Sequence, residues 1–282
     1  MINEANQYIR SERISVPDEF KDVFSHFYIA ENHSLQAVQK TLLPSFQIML
    51  VFNFGPPVIA SSSVGNEIVI ESCLVVGPIK KTINYTLPPH AELLVANFIG
   101  DSFYRFFTTA SNEFLALHPD LLLGENCFSA VWQCMKDLPS VEQRLHFLLD
   151  FSRQYLRQKD DTVEKILSME YNSSAYSVVK AVANETSLSE RSVQLKYKKF
   201  LGYTAKEMAR YQRFMKAIAF VQSKAVMSEN IDWADVVERF GYYDQSQLIH
   251  DFQHFVNLSP KNYVALLKDI CSARGDKAKV KT

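Results

Sequence analysis

At 282 residues, with 12 % aromatic side chains, the chain is long enough for two domains that each bury a core of their own. Four cysteines without CxxC spacing (Cys73, Cys127, Cys134, Cys271) and an N-terminus lacking a basic stretch before an apolar run argue against a disulfide framework and against secretion. Apolar runs also stay well short of the about 18 residues needed to cross a bilayer, so no membrane is expected and a reducing cytoplasm is the expected compartment.

The formal net charge of −1 hides a split. Residues 1–175 carry 13 Lys and Arg against 20 Asp and Glu, whereas residues 176–282 carry 17 against 11. Such asymmetry suits a C-terminal module that approaches phosphates and an N-terminal module with another task.

From residue 46 the chain alternates apolar runs with turn signals: 46–54 before Gly55-Pro-Pro, 67–76 before Gly77-Pro, 79–87 before Pro88-Pro, and 91–99 before Gly100. Runs spaced so closely leave no room for helices between them, which predicts a small antiparallel sheet or barrel. After Gly100 the period becomes helical, with Phe103, Phe106, Phe107 and Ala110, then Phe128, Val131, Trp132 and Met135, then Leu145, Leu148, Leu149, Ser152 and Leu156. These stripes predict helices packed on the barrel, serving as core or, alternatively, as a dimer face. Cys127 and Cys134, seven apart, read as buried small hydrophobes. The polar run 158–174, with Lys159-Asp-Asp161 and Asn172-Ser-Ser174, marks a boundary.

Beyond it a pattern is written twice. Ser189, Val193, Tyr197, Phe200, Gly202, Thr204 and Lys206 recur 55 residues later as Asp244, Leu248, Phe252, Phe255, Asn257, Ser259 and Lys261. Each copy reads as a helix cap, a buried stripe, a turn and a second cap. An apolar-periodic segment precedes each, at 178–185 and 233–240, separated from the cap by Thr186-Ser-Leu188 and by Gly241-Tyr-Tyr243. Helix, tight turn and helix make a helix-turn-helix motif. Between the copies, Met208, Tyr211, Met215, Ile218 and Val221 predict one long helix over 204–225.

Two segments carry a family resemblance: Gly241-Tyr-Tyr-Asp-Gln-Ser-Gln-Leu-Ile-His-Asp-Phe252 and Leu258-Ser-Pro-Lys-Asn-Tyr263. They resemble the AraC/XylS-type transcriptional regulators, whose DNA-binding domain holds two helix-turn-helix motifs bridged by a helix. The resemblance spans roughly the last 110 residues, and the layout of the N-terminal half resembles the cupin-like domains that accompany this module. The expected class is therefore α+β: a β-rich cupin-like domain with following helices over residues 1–160, a linker at 161–175, an all-α DNA-binding domain at 176–271 and a basic tail at 272–282 with Arg274, Lys277, Lys279 and Lys281.

The resemblance implies double-stranded DNA as partner, with the recognition helices (189–201 and 244–256) in successive major grooves. With Val193 and Tyr197 inward, Arg191, Gln194 and Leu195 match base-contact positions: Arg191 suits guanine, Gln194 adenine, and Leu195 a thymine methyl. Lys196, Lys198 and Lys199 suit phosphates, or else fill a solvated face. On the second helix the outward set is Gln245, Ser246, Ile249, His250 and Gln253. Here the sequence departs from the family, with His250 in place of the usual arginine and with Asp251 present. Residues 176–228 hold 10 basic and 3 acidic side chains, residues 229–271 hold 3 and 7. The first motif is thus expected to dominate affinity, and Asp251 to repel the DNA backbone.

No Gly-rich phosphate loop, nucleophile elbow or paired-carboxylate signature is visible. His90-x-Glu92 would set an imidazole and a carboxylate on one strand face, but the further ligands of a cupin metal site are missing. His250 and His254 have metal-face spacing without a third ligand. No cofactor and no enzymatic activity are expected. Further partners under consideration are a small-molecule effector, a second copy of the chain and RNA polymerase. Three functions compete: a DNA-binding regulator modulated by its N-terminal domain, a protein-interaction module with weakened DNA contacts, and a metal-dependent cupin-type enzyme.

Overall fold

A computed structural model describes residues 8–62, 67–110, 114–170, 175–227 and 229–267. Asn172-Ser-Ser174, Cys271 and the basic tail lie outside the described residues. The chain divides into two compact units, Met1–Ala205 and Lys206–Thr282.

The first unit contains strands β1 (Ile9–Ile14), β2 (Phe24–Asn32), β3 (Val38–Leu42), β4 (Met49–Asn53), β5 (Val58–Ser62), β6 (Glu67–Ile70), β7 (Cys73–Gly77), β8 (Ile83–Leu87), β9 (Glu92–Phe98) and β10 (Leu115–Leu117). Its helices are α1 (Ser102–Phe107), α2 (Pro119–Leu123), α3 (Cys127–Lys136), α4 (Val141–Arg153), α5 (Asp161–Glu170), α6 (Ala175–Thr186) and α7 (Glu190–Lys196). The strands form a six-stranded sheet, ordered β1-β2-β9-β4-β7-β10, and a four-stranded sheet, ordered β3-β8-β5-β6.

Side chains alternate across a strand, and the larger sheet uses both faces. Met49 and Val51 of β4, with Leu93 and Val95 of β9, join Val58, Ala60, Ile68 and Ile83 of the smaller sheet in one apolar cluster. Leu50, Phe52, Leu94, Ala96 and Phe98, pointing the other way, pack with Phe103, Phe106, Phe128, Leu145 and Leu148 from α1, α3 and α4. This explains why the runs around β4 and β9 are apolar throughout instead of alternating: both strands are covered on two faces. It also places the stripes of α3 and α4 in the core, while Glu142, His146 and Asp150 face outward.

Three details differ from the sequence expectation. The run 67–76 is two strands, β6 and β7, which bend apart at Glu71-Ser72 and enter different sheets. The stretch taken as a linker carries α5, whose Val163 and Ile166 are buried and whose first amides donate to Asp160 Oδ1, Thr162 at 3.0 Å and Val163 at 3.2 Å. Among the described residues the buried cysteine is Cys73, its thiol pushed up to about 12, first by burial and then by the charge of Asp120. Cys134 is exposed and Cys127 half-buried, because α3 buries its Phe128, Val131 and Met135 face, with Cys127 and Trp132 at that face's edge.

The second unit holds α8 (Ala205–Val226), α9 (Trp233–Arg239) and α10 (Gln245–Val256). Phe214, Ala217, Ile218 and Val221 line the buried side of α8, the 3.6-residue period that the sequence shows there.

Candidate nucleic-acid interface

The first motif is α6, a turn and α7. The corner is made without glycine: Ser187 takes the left-handed conformation, φ 55°. Ser189 caps α7, its Oγ accepting from the Ser192 amide at 3.1 Å. Val193 and Tyr197 are buried beneath the helix. It then widens into a π turn over Tyr197–Leu201 and stops at Gly202, φ 75°, a conformation that favours glycine. Arg191, Gln194, Leu195, Lys198 and Lys199 lie on the exposed side, Leu195 being 60 % exposed.

Lys196 lies on the flank of the helix and is engaged by the N-terminal half. Its ammonium is 2.5 Å from Asp160 Oδ2. Burial acts to raise the Asp160 carboxyl, but Lys196 and the Val163 and Thr162 amides outweigh it and hold the group below its ordinary value. Next to this pair, Phe200 packs on Tyr104 of α1 with ring centroids 4.4 Å apart, and the Lys199 ammonium lies 5.4 Å from the Tyr104 ring. Two of the three lysines expected at phosphates therefore touch residues of the same compact unit; Lys198 is exposed.

The second motif repeats the design with other residues. Gly241 takes the corner at φ 67°. Asp244 accepts from the Gln247 amide at 2.8 Å, and the Gln247 side chain reaches back to accept from the Tyr243 amide at 2.9 Å, a reciprocal cap. Leu248, Phe252 and Phe255 are buried, and Phe214 of α8 meets Phe252 edge-on at 5.2 Å and stacks on Phe255 at 4.7 Å. Asn257, φ 56°, ends α10 as Gly202 ends the first copy. Gln245, Ser246, Ile249, His250 and Gln253 are exposed. So is Tyr243, at 92 %. The sequence marks Tyr242 and Tyr243 alike as turn residues; the structure buries Tyr242 and turns Tyr243 to solvent.

The expectation that Asp251 repels DNA is overturned. Asp251 is 1 % exposed and points into the unit. Its Oδ1 accepts from Arg210 Nε at 2.6 Å, and Oδ2 lies 3.6 Å from Arg213, both on α8. Arg213 also lies 4.5 Å over the ring of buried Tyr242, whose phenol is raised, chiefly by burial and then by the charge of Asp251. The reason is positional: Asp251 precedes Phe252 on the core side of the helix, and α8 offers two arginines there. Counting it as surface charge overstated the acidity of the second motif, and counting Arg210 and Arg213 as free cations overstated the basicity of the first.

In the β-rich half His90 and Glu92 take up separate surroundings. His90 sits at a left-handed turn, φ 64°, and is exposed. Glu92 opens β9 and pairs with Arg144 of α4, whose guanidinium lies 4.1 Å over the Phe54 ring. The turn rotates His90 off the strand face that the spacing predicted. Among the described residues no group of three His, Cys, Asp or Glu could hold a metal ion, and no helix is long and apolar enough to cross a membrane. Tyr28 and Tyr85 pack against the apolar cluster between the two sheets, and buried Asn32 and Asn53 each donate to a carbonyl of the smaller sheet, Leu87 and Ile70.

No family model matches the chain, and no curated protein does. Among solved structures it is similar to ToxT from Vibrio cholerae at 12 % identity, over 84 % of this chain and 97 % of that one, with a TM-score of 0.42. A structure of ToxT with an unsaturated fatty acid bound is similar at 11 % identity over 84 % and 94 % of the two chains, TM-score 0.41. The AraC-like transcriptional activator CuxR is similar at 10 % identity over 75 % and 96 %, TM-score 0.28. At such low similarity, function has to be read from the residues of this chain.

Proposed function

We propose that the chain is a sequence-specific, DNA-binding transcriptional regulator of the AraC/XylS type, with each recognition helix entering a major groove and the N-terminal domain modulating the first of them. The observation that carries this is the repeated motif. Two capped second helices, α7 and α10, each bury one stripe and turn toward solvent a row of side chains able to read base edges: Arg191, Gln194 and Leu195 on one, Gln245, Ser246, Ile249 and His250 on the other. Modulation is supported by the contacts of Asp160 and Tyr104 with Lys196, Lys199 and Phe200. A phosphate approaching Lys196 competes with Asp160 for the same ammonium.

The same contacts favour a second reading, a protein-interaction module that keeps the fold after losing part of its phosphate grip. Salt separates the two. The full chain titrated with labelled duplex DNA at 50 and 200 mM salt should bind, and bind more weakly at the higher concentration, because each phosphate contact releases a counterion. A chain that ignores DNA at low salt is a protein-interaction module.

A further inference from the structure

α10 exposes an aliphatic side chain beside a complete core stripe. Leu248, Phe252 and Phe255 are buried, yet Ile249 is 44 % exposed. In α7, Leu195 is 60 % exposed while Val193 and Tyr197 are buried. One exposed aliphatic residue is ordinary on a protein surface. Here there is one on the outer face of each recognition helix, and each shares its face with a side chain that can hydrogen-bond base edges. Ile249 follows Gln245 by four positions and Ser246 by three, and Leu195 follows Arg191 by four, spacings that make helix-surface neighbours.

An aliphatic group next to hydrogen-bonding groups matches one feature of the major groove, the thymine C5 methyl, which lies beside the acceptor and donor atoms of the A·T pair. The charge on α10 narrows the assignment. With Asp251 buried against Arg210 and Arg213, and Asp244 engaged as the cap, the outer residues Gln245, Ser246, Ile249, His250 and Gln253 include no lysine, arginine or carboxylate. Such a face gains little from phosphates, whose contacts supply affinity without sequence information. What it can supply is discrimination between bases.

We propose that Ile249 and Leu195 are specificity-determining residues that read thymine methyl groups, and that α10 contributes sequence discrimination with little electrostatic affinity. This rests on the DNA-binding reading above and names what the recognition helices read.

The test begins with full-length protein selecting duplexes from a random pool. The enriched site is then made with each thymine replaced in turn by deoxyuridine, which lacks only the methyl. Wild type should bind about fourfold more weakly at each methyl-reading position, equivalent to about 0.8 kcal/mol for one buried CH₂. Ile249→Ala should lose the thymine preference at one position and Leu195→Ala at another, and Ile249→Ala should keep the wild-type salt dependence. Both side chains are exposed, so the variants fold. Equal binding of thymine and uracil sites, variants that retain every thymine preference, or DNA binding without selection of any sequence would overturn the methyl assignment and leave DNA binding standing. Failure to bind any duplex at low salt would overturn the DNA-binding reading, and this inference with it.

Discussion

Asp251 is the residue at which a surface view and a core view of the second motif give opposite outcomes. Asp251→Asn removes the charge at nearly constant volume, and Asp251→Ala removes the acceptor as well. The carboxylate is 1 % exposed, 2.6 Å from Arg210 and 3.6 Å from Arg213, while the two arginine side chains are 39 % and 27 % exposed. Removing one partner of a fully buried ion pair costs about 3–5 kcal/mol. Because both arginines keep part of their hydration here, Asp251→Ala should cost about 2–3 kcal/mol. Asp251→Asn should cost roughly half of that, since its amide oxygen still accepts from Arg210. With a urea slope of roughly 1–2 kcal/mol/M, the Ala variant's unfolding midpoint falls by about 1–3 M, followed by far-ultraviolet circular dichroism of the full chain. If Asp251 were instead a surface acid, both variants would keep wild-type stability and bind all DNA sequences more tightly. That pair of results would refute the buried ion pair.

Arg191→Ala and Gln194→Ala should each weaken binding to the selected site by about 1–3 kcal/mol with little effect on unrelated DNA, whereas Lys198→Ala should weaken binding to all sequences alike and lower the salt slope by about 1, as equilibrium titrations at several salt concentrations will show. Asp160→Asn frees Lys196. Because the Asp160 carboxyl lies below its ordinary value in the folded chain, its contribution is present above the unfolded value of about 3.9 and is lost as pH falls through the lower folded value. The stability gap between wild type and Asp160→Asn should therefore be open at pH 6 and close on acidification past that point, and a gap independent of pH would exclude the ion pair. Gly55→Ala should destabilise the first unit by about 2 kcal/mol, because an added Cβ would lie 2.4 Å from the His90 carbonyl oxygen; an unchanged melting curve would contradict that approach. Elemental analysis of protein purified without added metal should find substoichiometric metal that His90→Ala leaves unchanged, and stoichiometric metal lost in that variant would revive the cupin-enzyme alternative.

The C-terminal half was legible because its determinants are local. Ser189 and Asp244 accept from amides three residues on, Gly202 and Asn257 take the left-handed backbone that ends the second helix of each motif, and the buried stripes follow the helical period. The strands of the N-terminal half were legible where Gly and Pro punctuate them. β1, β2 and β3 are bordered only by the single prolines Pro17 and Pro44, without the paired Gly-Pro or Pro-Pro signals that mark the later strands, and the sequence reading does not include them. Nor does it include α5, whose polar composition masked the two positions, Val163 and Ile166, that it buries.

The charge of each motif was a different matter. Sequence supplies the number of acids and bases in a segment, and by itself it determined that the second helix of each motif exists, where it is capped and ended, and which stripe it buries. Only the tertiary structure decided which charges remain available: Asp251 is matched by Arg210 and Arg213 from a helix about 40 residues earlier, and Lys196 by Asp160 from 36 residues earlier. An ion pair depends on atoms meeting at about 3 Å, and residues that far apart along the chain are brought to that distance by packing, not by spacing.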